Sequence, residues 1–296
     1  MQKNIVDIQN KLNYMIDKNK DEHSVKIKKS KQENYLSLYN RGNDLLKQGK
    51  LNPAIKCYKR SLRLAPNCYN ALNNMGIALD KLGMPDKALT CYQDALKFKS
   101  THVSSLVNIG ILLSESNRHD EAIRYYERAL KKEPTNPIIL SNLGVELEYK
   151  EEYEDAFNLF KKAVELASSD PIILYNYANQ LVHIEKNEDA IPYYEKAIEL
   201  KPDYIEAIEN KARIHYRLGQ FLDASTCLDK LIKIKPKYAM YSYLQAQAKL
   251  FQGEKTKSLR FLKKAIELET RFKEIAKSDN AFTKIRDEPD FKTLVK

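Results

Sequence analysis

The feature that most constrains this chain is a period. A ruler started at Tyr35 and stepped by 34 residues meets the same residue types seven times. Position 8 of the ruler reads Gly42, Gly76, Gly110, Gly144, Ala178, Ala212 and Ala246. Position 20 reads Ala54, Ala88, Ala122, Ala156, Ala190, Ala224 and Ser258. Position 24 reads Tyr58, Tyr92, Tyr126, Phe160, Tyr194, Leu228 and Leu262. No insertion breaks the register. A fixed period of this length belongs to stacked supersecondary units, each burying its apolar face against its neighbours. A chain of 296 residues can then fold without one large core.

The columns have physical reasons. Small residues at positions 8, 20 and 27 let two helices approach closely, and the ring at position 24 fills the space beside them. Positions 4, 7, 8 and 11 share one helical face, as in Leu106, Ile109, Gly110 and Leu113. Gly49, Gly83, Gly219 and Gly253 fall where the chain turns between helices, a place for left-handed backbone. Pro66, Pro134, Pro202 and Pro236 stop second helices.

These columns resemble the tetratricopeptide repeat family, from Tyr35 to about Arg271. The chain departs from the family at position 4, where a large aromatic is usual and Leu or Ile is common here. The resemblance implies an all-α fold, a right-handed superhelical solenoid of antiparallel helix pairs whose first helices line a concave groove. Seven repeats are expected, at 35–68, 69–102, 103–136, 137–170, 171–204, 205–238 and 239–272. Residues 273–296 look like a closing segment, with Phe282, Ile285, Phe291 and Leu294 available to cover the last repeat. Residues 1–34 fall outside the period. There Ile5, Ile8, Leu12 and Ile16 make a weak helical stripe before the Lys-rich run from Lys26 to Lys31, expected as partly helical or disordered.

Position 6 carries the most informative column: Asn40, Asn74, Asn108, Asn142, Asn176, Asn210, then Leu244. On a wheel drawn for one helix, position 6 lies about 150° from the 4-7-8-11 face, so it is expected to point outward. Asparagine is a mediocre helix former, so six of them need a reason. Each amide offers a donor and an acceptor, enough to hold both main-chain groups of one residue in an extended peptide. Packed helices lie roughly 8–10 Å apart and a strand rises roughly 3.3 Å per residue, so one rung serves about three peptide residues. The competing reading is that these amides bond to the neighbouring repeat, or are copied by repeat duplication.

Positions 5 and 9 flank the ladder. Position 9 reads Asn43, Ile77, Ile111, Val145, Asn179, Arg213 and Gln247, and position 5 includes Val107 and Tyr175. Ile77, Val107, Ile111 and Val145 are expected as an exposed apolar patch selecting aliphatic side chains. Domains of this family that hold acidic chaperone tails use a clamp of Lys, Asn, Asn, Lys and Arg across three repeats. The first three repeats supply Tyr39, Asn43, Asn74, Ser104 and Asn108, which keeps both asparagines and lacks all three cations. Carboxylate binding by that clamp is not expected.

Other classes are disfavoured. His23, His102, His119, His183 and His215 are scattered, and no metal pair or phosphate loop is present, so no enzyme, metal or cofactor is expected. Asp7 interrupts the first apolar pair, Ile5-Val6, so no secretory leader is expected, and no apolar run reaches the roughly 18 residues of a membrane span. Cys57, Cys68, Cys91 and Cys227 fit no disulfide or metal framework, which suits a reducing, cytoplasmic compartment. Net charge is +10, and the first 68 residues carry +9 of it. That basic head leaves weak nucleic-acid or anionic-membrane binding as an alternative, although no nucleic-acid reading module is present. A scaffold using its convex or basic surface is a further alternative.

The expected function is a non-catalytic protein–protein interaction adaptor that binds an extended segment of a partner. Asn40, Asn74, Asn108, Asn142, Asn176 and Asn210 would hold the backbone. Ile77, Val107, Ile111, Val145, Tyr175 and Asn179 would flank it. Neither the partner's identity nor the oligomeric state can be read from these residues.

Overall fold

In the computed structural model, residues 29–296 are described. The apolar stripe of residues 5–16 and the start of the Lys-rich run lie outside them. The described residues are helical throughout, with short turns. The helices come in consecutive pairs. In a first compact unit, ending at Ala167, these are α1 (Lys29–Lys47) with α2 (Leu51–Leu64), and α3 (Tyr69–Lys81) with α4 (Pro85–Phe98). Then come α5 (Val103–Glu115) with α6 (His119–Leu130), and α7 (Pro137–Tyr149) with α8 (Tyr153–Leu166).

A second unit runs from Ser168 to Lys296. It holds α9 (Pro171–His183) with α10 (Asn187–Leu200), α11 (Ile205–Arg217) with α12 (Phe221–Ile234), and α13 (Ala239–Phe251) with α14 (Lys255–Leu268). A short α15 (Phe272–Ser278), a 3-10 turn (Asn280–Ile285) and α16 (Pro289–Val295) close it.

The turns explain the register. Each first helix ends on a left-handed residue, and these residues are Gly49, Gly83, Asn117, Glu151, Glu185, Gly219 and Gly253, spaced by 34. At each turn the next N–H reaches back to a carbonyl five residues earlier, as in Met84 N to Leu79 O at 3.0 Å and Lys186 N to Leu181 O at 2.8 Å. This is the bond that satisfies orphan carbonyls where a helix ends in a left-handed residue. The sequence marks four of the seven positions with glycine. Asn117, Glu151 and Glu185 adopt the same conformation because the hairpin requires it there.

Packing follows the columns. Tyr58, Tyr92, Phe160 and Tyr194 are fully buried, and so are Ala54, Ala88, Ala122 and Ala190. A methyl group on Gly76 would stand 2.5 Å from Tyr92 Cε1, so the ring occupies the space that glycine leaves. At the C-terminus, Phe272, Phe282, Phe291, Ile285 and Val295 are buried against Tyr243, Ala246, Leu262 and Ile266, with Leu294 partly buried beside them. The closing segment therefore covers the apolar face of the last helix pair.

Candidate functional site

The asparagine column does not point uniformly outward. Asn40 is exposed on α1, and Asn176 and Asn210 are half-buried. Asn74, Asn108 and Asn142 are buried, with Asn108 fully so. The single-helix wheel misplaces them because it counts only the partner helix. In the stack, a first helix also meets the first helix of the neighbouring repeat, and position 6 lies on that seam. Asn74 on α3 reaches α1, and Asn108 on α5 reaches α3.

The apolar residues also differ from expectation. Ile77, Val107 and Ile111 are each only 1% exposed and belong to the core of the first unit, while Val145 is half-buried. They form no open patch on which a ligand could rest. Position 9 of one repeat packs beside the next first helix, so an aliphatic residue there fills the seam between repeats.

What the seam holds instead is a repeated polar constellation. In the first unit, Asn43 Oδ1 accepts from the Tyr58 hydroxyl at 2.9 Å and from Asn74 Nδ2 at 2.8 Å. Asn74 Nδ2 also donates to the Tyr39 hydroxyl at 3.4 Å. In the second unit, Asn179 Oδ1 accepts from the Tyr194 hydroxyl at 2.6 Å and from Asn210 Nδ2 at 2.8 Å. Asn210 Nδ2 likewise donates to the Tyr175 hydroxyl at 3.3 Å. The two tyrosines, the two asparagines and the wiring are the same, built from positions 5, 9 and 24 of one repeat and position 6 of the next.

The two differ in what they connect to. In the first unit the amides continue inward. Asn74 Oδ1 accepts from Asn73 Nδ2 at 3.2 Å, and Asn73 Oδ1 accepts from Ser105 Oγ at 2.9 Å and from Asn108 Nδ2 at 3.1 Å. The chain therefore links three successive first helices through buried groups. In the second unit the pair continues outward, since Asn210 Oδ1 accepts from Arg213 Nη2 at 2.8 Å. There the pair borders a cleft of about 780 Å³, lined among others by Tyr175, Asn179, Asn210, Arg213, Arg217 and Glu185. Burial pushes the Tyr175 phenol up, while hydrogen bonds from Asn179 and Asn210 and the Arg213 charge oppose that rise. A smaller depression of about 510 Å³ lies along α1, bordered by Leu36, Ser37, Asn40, Arg41 and Asp44.

A third version closes the second unit. Asp279, in the closing segment, accepts from the Tyr243 hydroxyl and from Gln247 Nε2. Here a carboxylate meets positions 5 and 9 as the position-6 asparagine does in the earlier repeats, with the polarity reversed: positions 5 and 9 donate and the carboxylate accepts.

Family models for the tetratricopeptide repeat match residues 35–68, 69–102 and 103–136, residues 141–205, and residues 181–248. The chain belongs to the tetratricopeptide repeat family. The first three matched spans coincide with single steps of the 34-residue ruler.

Solved tetratricopeptide structures share the fold. The Pseudomonas aeruginosa protein PilF is 20% identical with a TM-score of 0.66, covering 74% of this chain and 100% of its own. YrrB, described as a TPR protein with an unusual peptide-binding site, is 23% identical with a TM-score of 0.53, covering 60% of this chain and 92% of its own. The MamA protein is 25% identical with a TM-score of 0.52, covering 57% of this chain and 92% of its own. No curated protein matches the chain.

Tetratricopeptide repeats are protein-interaction modules, and the chain has the construction of one. Among the described residues, no helix is long and apolar enough to cross a membrane, and no group of three His, Cys, Asp or Glu is placed to hold a metal. Cys57, Cys68, Cys91 and Cys227 are buried free thiols. Sequence reasoning missed two cleft residues, Arg213 and Arg217. The signal for Arg213 was a break in its column: position 9 is otherwise amide or aliphatic, and arginine appears there only once.

Proposed function

We propose that this chain is a non-catalytic adaptor that binds an extended segment of a partner protein along its first helices. The principal seat is the cleft of the second unit. One observation carries this reading. The Tyr175–Asn179–Tyr194–Asn210 constellation borders an open cleft within the size range of ligand-binding clefts, roughly 300–1,000 Å³.

The amide geometry suits a peptide backbone. Asn179 Oδ1 is committed to two donors, so the side chain is held in one orientation. A fixed donor costs less ordering entropy when a ligand arrives than a mobile one does. Arg213 and Arg217, exposed on the same wall, offer donors to a main-chain carbonyl. Asn176 and Asn40, which are not buried, extend the same column. Asn74, Asn108 and Asn142 are assigned instead to the joints between repeats, because they are buried. The general likeness to YrrB, itself described as having a peptide-binding site, agrees with this reading.

The test uses a random decapeptide library passed over the immobilised chain at physiological salt. The native chain should retain a distinct peptide set. An Asn179→Ala, Asn210→Ala variant of unchanged helicity should retain about tenfold less of it, the loss expected when roughly 1.4 kcal/mol of contact is removed. Equal retention by both proteins would remove the cleft from the function.

A further inference from the structure

We infer that the cleft of the second unit selects acidic segments, specifically acidic side chains at alternate positions of an extended peptide. This rests on the cleft being the peptide seat, and it adds the chemistry of the ligand. The argument starts from hydrogen-bond polarity. Asn179 Oδ1 already accepts twice, and Asn210 Oδ1 is taken by Arg213. Asn210 Nδ2 is spent on Tyr175 and Asn179. The charged donors left to a ligand are the two guanidinium groups, beside the acceptors Asn187 Oδ1 and the Glu185 carboxylate on the same lining. A guanidinium carries five N–H donors and no acceptor, and among the described residues Arg213 donates from Nη2 to Asn210. Arg217 makes no hydrogen bond or ion pair among the described residues. The guanidinium pair is complemented by an acceptor-rich group, and a carboxylate is the acceptor-rich side chain that peptides carry.

The local charges leave both arginines available. Glu209 stands four residues before Arg213, the usual spacing for an intrahelical ion pair. Its carboxylate is instead drawn to the Tyr241 hydroxyl at 2.5 Å, on α13. Glu185 is the carboxylate on the cleft wall, and the two arginines outnumber it. Guanidinium pairs with carboxylate in a planar, two-point geometry that an ammonium cannot reproduce.

Spacing selects alternate residues rather than adjacent ones. Arg213 and Arg217 are one helical turn apart, which puts their Cβ atoms about 5–6 Å from each other. Side chains at i and i+2 of an extended strand lie on one face, about 6.6 Å apart. Neighbouring strand residues point to opposite faces and cannot both meet the pair. This arrangement differs from the three-repeat carboxylate clamp, whose cations are absent from repeats 1 to 3, since both arginines here come from one helix.

The experiment uses three synthetic decapeptide libraries with random flanks, acetylated and amidated at their ends. Their central triplets are Asp/Glu-x-Asp/Glu, Asn/Gln-x-Asn/Gln, and adjacent Asp/Glu pairs. The full-length native chain is expected to retain the alternating acidic library about tenfold over the amide library at physiological salt. Arg213→Gln with Arg217→Gln should bring that ratio to about one, with the melting temperature unchanged. Arg217→Glu should reverse the preference, retaining a further library with a Lys-x-Lys triplet over the alternating acidic one. Each of the following outcomes overturns the inference. If the native chain retains peptides without acidic preference, the inference falls while the peptide seat stands. If the preference survives in the double variant, it arises elsewhere, as at the basic first repeat. If adjacent acids are retained as well as alternating ones, the spacing argument fails. If the amide library, resynthesised with free C-terminal acids as a control, is retained as well as the alternating acidic one, the site reads a chain terminus and not side chains. Retention of no library by the native chain would remove both the inference and the seat.

Discussion

The constellation around Asn43 and Asn74 and the one around Asn179 and Asn210 are the same two tyrosines and two asparagines with the same wiring, in two units of one chain. The first is continued by Asn73, Ser105 and Asn108 into buried space, and position 9 of its second helix pair is Ile77, inside the core. The second is continued by Arg213 to the wall of an open cleft. The difference teaches that an asparagine ladder has no single meaning. Its amides are joints where the next position 9 is aliphatic and can become a ligand seat where that position is polar. On the proposed reading, one residue per repeat, outside the ladder itself, distinguishes the two.

Exchanging that residue should give the largest effect. Ile77→Arg forces a cation into a seam with 1% exposure and is expected to cost about 3 kcal/mol or more in chemical denaturation. The reciprocal Arg213→Ile, at an exposed position, should change stability by less than about 0.5 kcal/mol. Comparable costs at the two positions would erase the distinction.

Next come the ladder residues. Asn74→Ala breaks bonds to Tyr39 and Asn43 and leaves Asn73 Nδ2 without its acceptor, in a buried setting. It is expected to lower stability by about 2 kcal/mol, against about 1 kcal/mol for the half-buried Asn210→Ala. Urea unfolding followed by circular dichroism resolves the difference.

The position-24 hydroxyls sharpen the comparison further. Tyr58 and Tyr194 each donate to a position-9 asparagine, so replacing either by Phe should cost about 1 kcal/mol. Tyr92 faces a repeat whose position 9 is Ile77, and its buried hydroxyl has no partner. Tyr92→Phe is therefore expected to raise stability, by about 1 kcal/mol. A loss in all three variants would mean that the hydroxyls act through packing and not through the asparagines.

A smaller contrast lies in the turns. Glu151 holds a φ of 62° where Gly83 holds 74°. Glu151→Gly removes left-handed strain and should stabilise by about 0.5–1 kcal/mol, read as a small rise in thermal midpoint. Gly83→Ala should do the reverse.

The legibility of the chain divides along physical lines. The period, the small-residue columns, the position-24 rings and the closing phenylalanines follow from packing between residues at fixed offsets, so they are visible in the letters. The turn residues were half visible, because glycine at Gly49, Gly83, Gly219 and Gly253 advertises a left-handed backbone while Asn117, Glu151 and Glu185 adopt it silently. The burial of Asn74, Asn108, Ile77, Val107 and Ile111 was not legible, since a helical wheel knows one partner helix and the seam belongs to the next repeat. The inward amide chain depends on which of several possible acceptors each side chain reaches, and Asn73 sits outside the recurring column. Arg213 and Arg217 were hidden for the opposite reason. A column search rewards recurrence, and these two residues matter because they do not recur.

The most direct test of the account is an affinity purification from source cells, nuclease-treated and at physiological salt, with bound proteins quantified by mass spectrometry. Three baits are compared below their melting temperatures: the native chain, Asn179→Ala with Asn210→Ala, and Asn74→Ala. The account expects partners of the native chain to disappear from the second bait and to remain on the third. Equal loss from both variants, or loss from Asn74→Ala alone, would contradict the division of the two constellations into seat and joint.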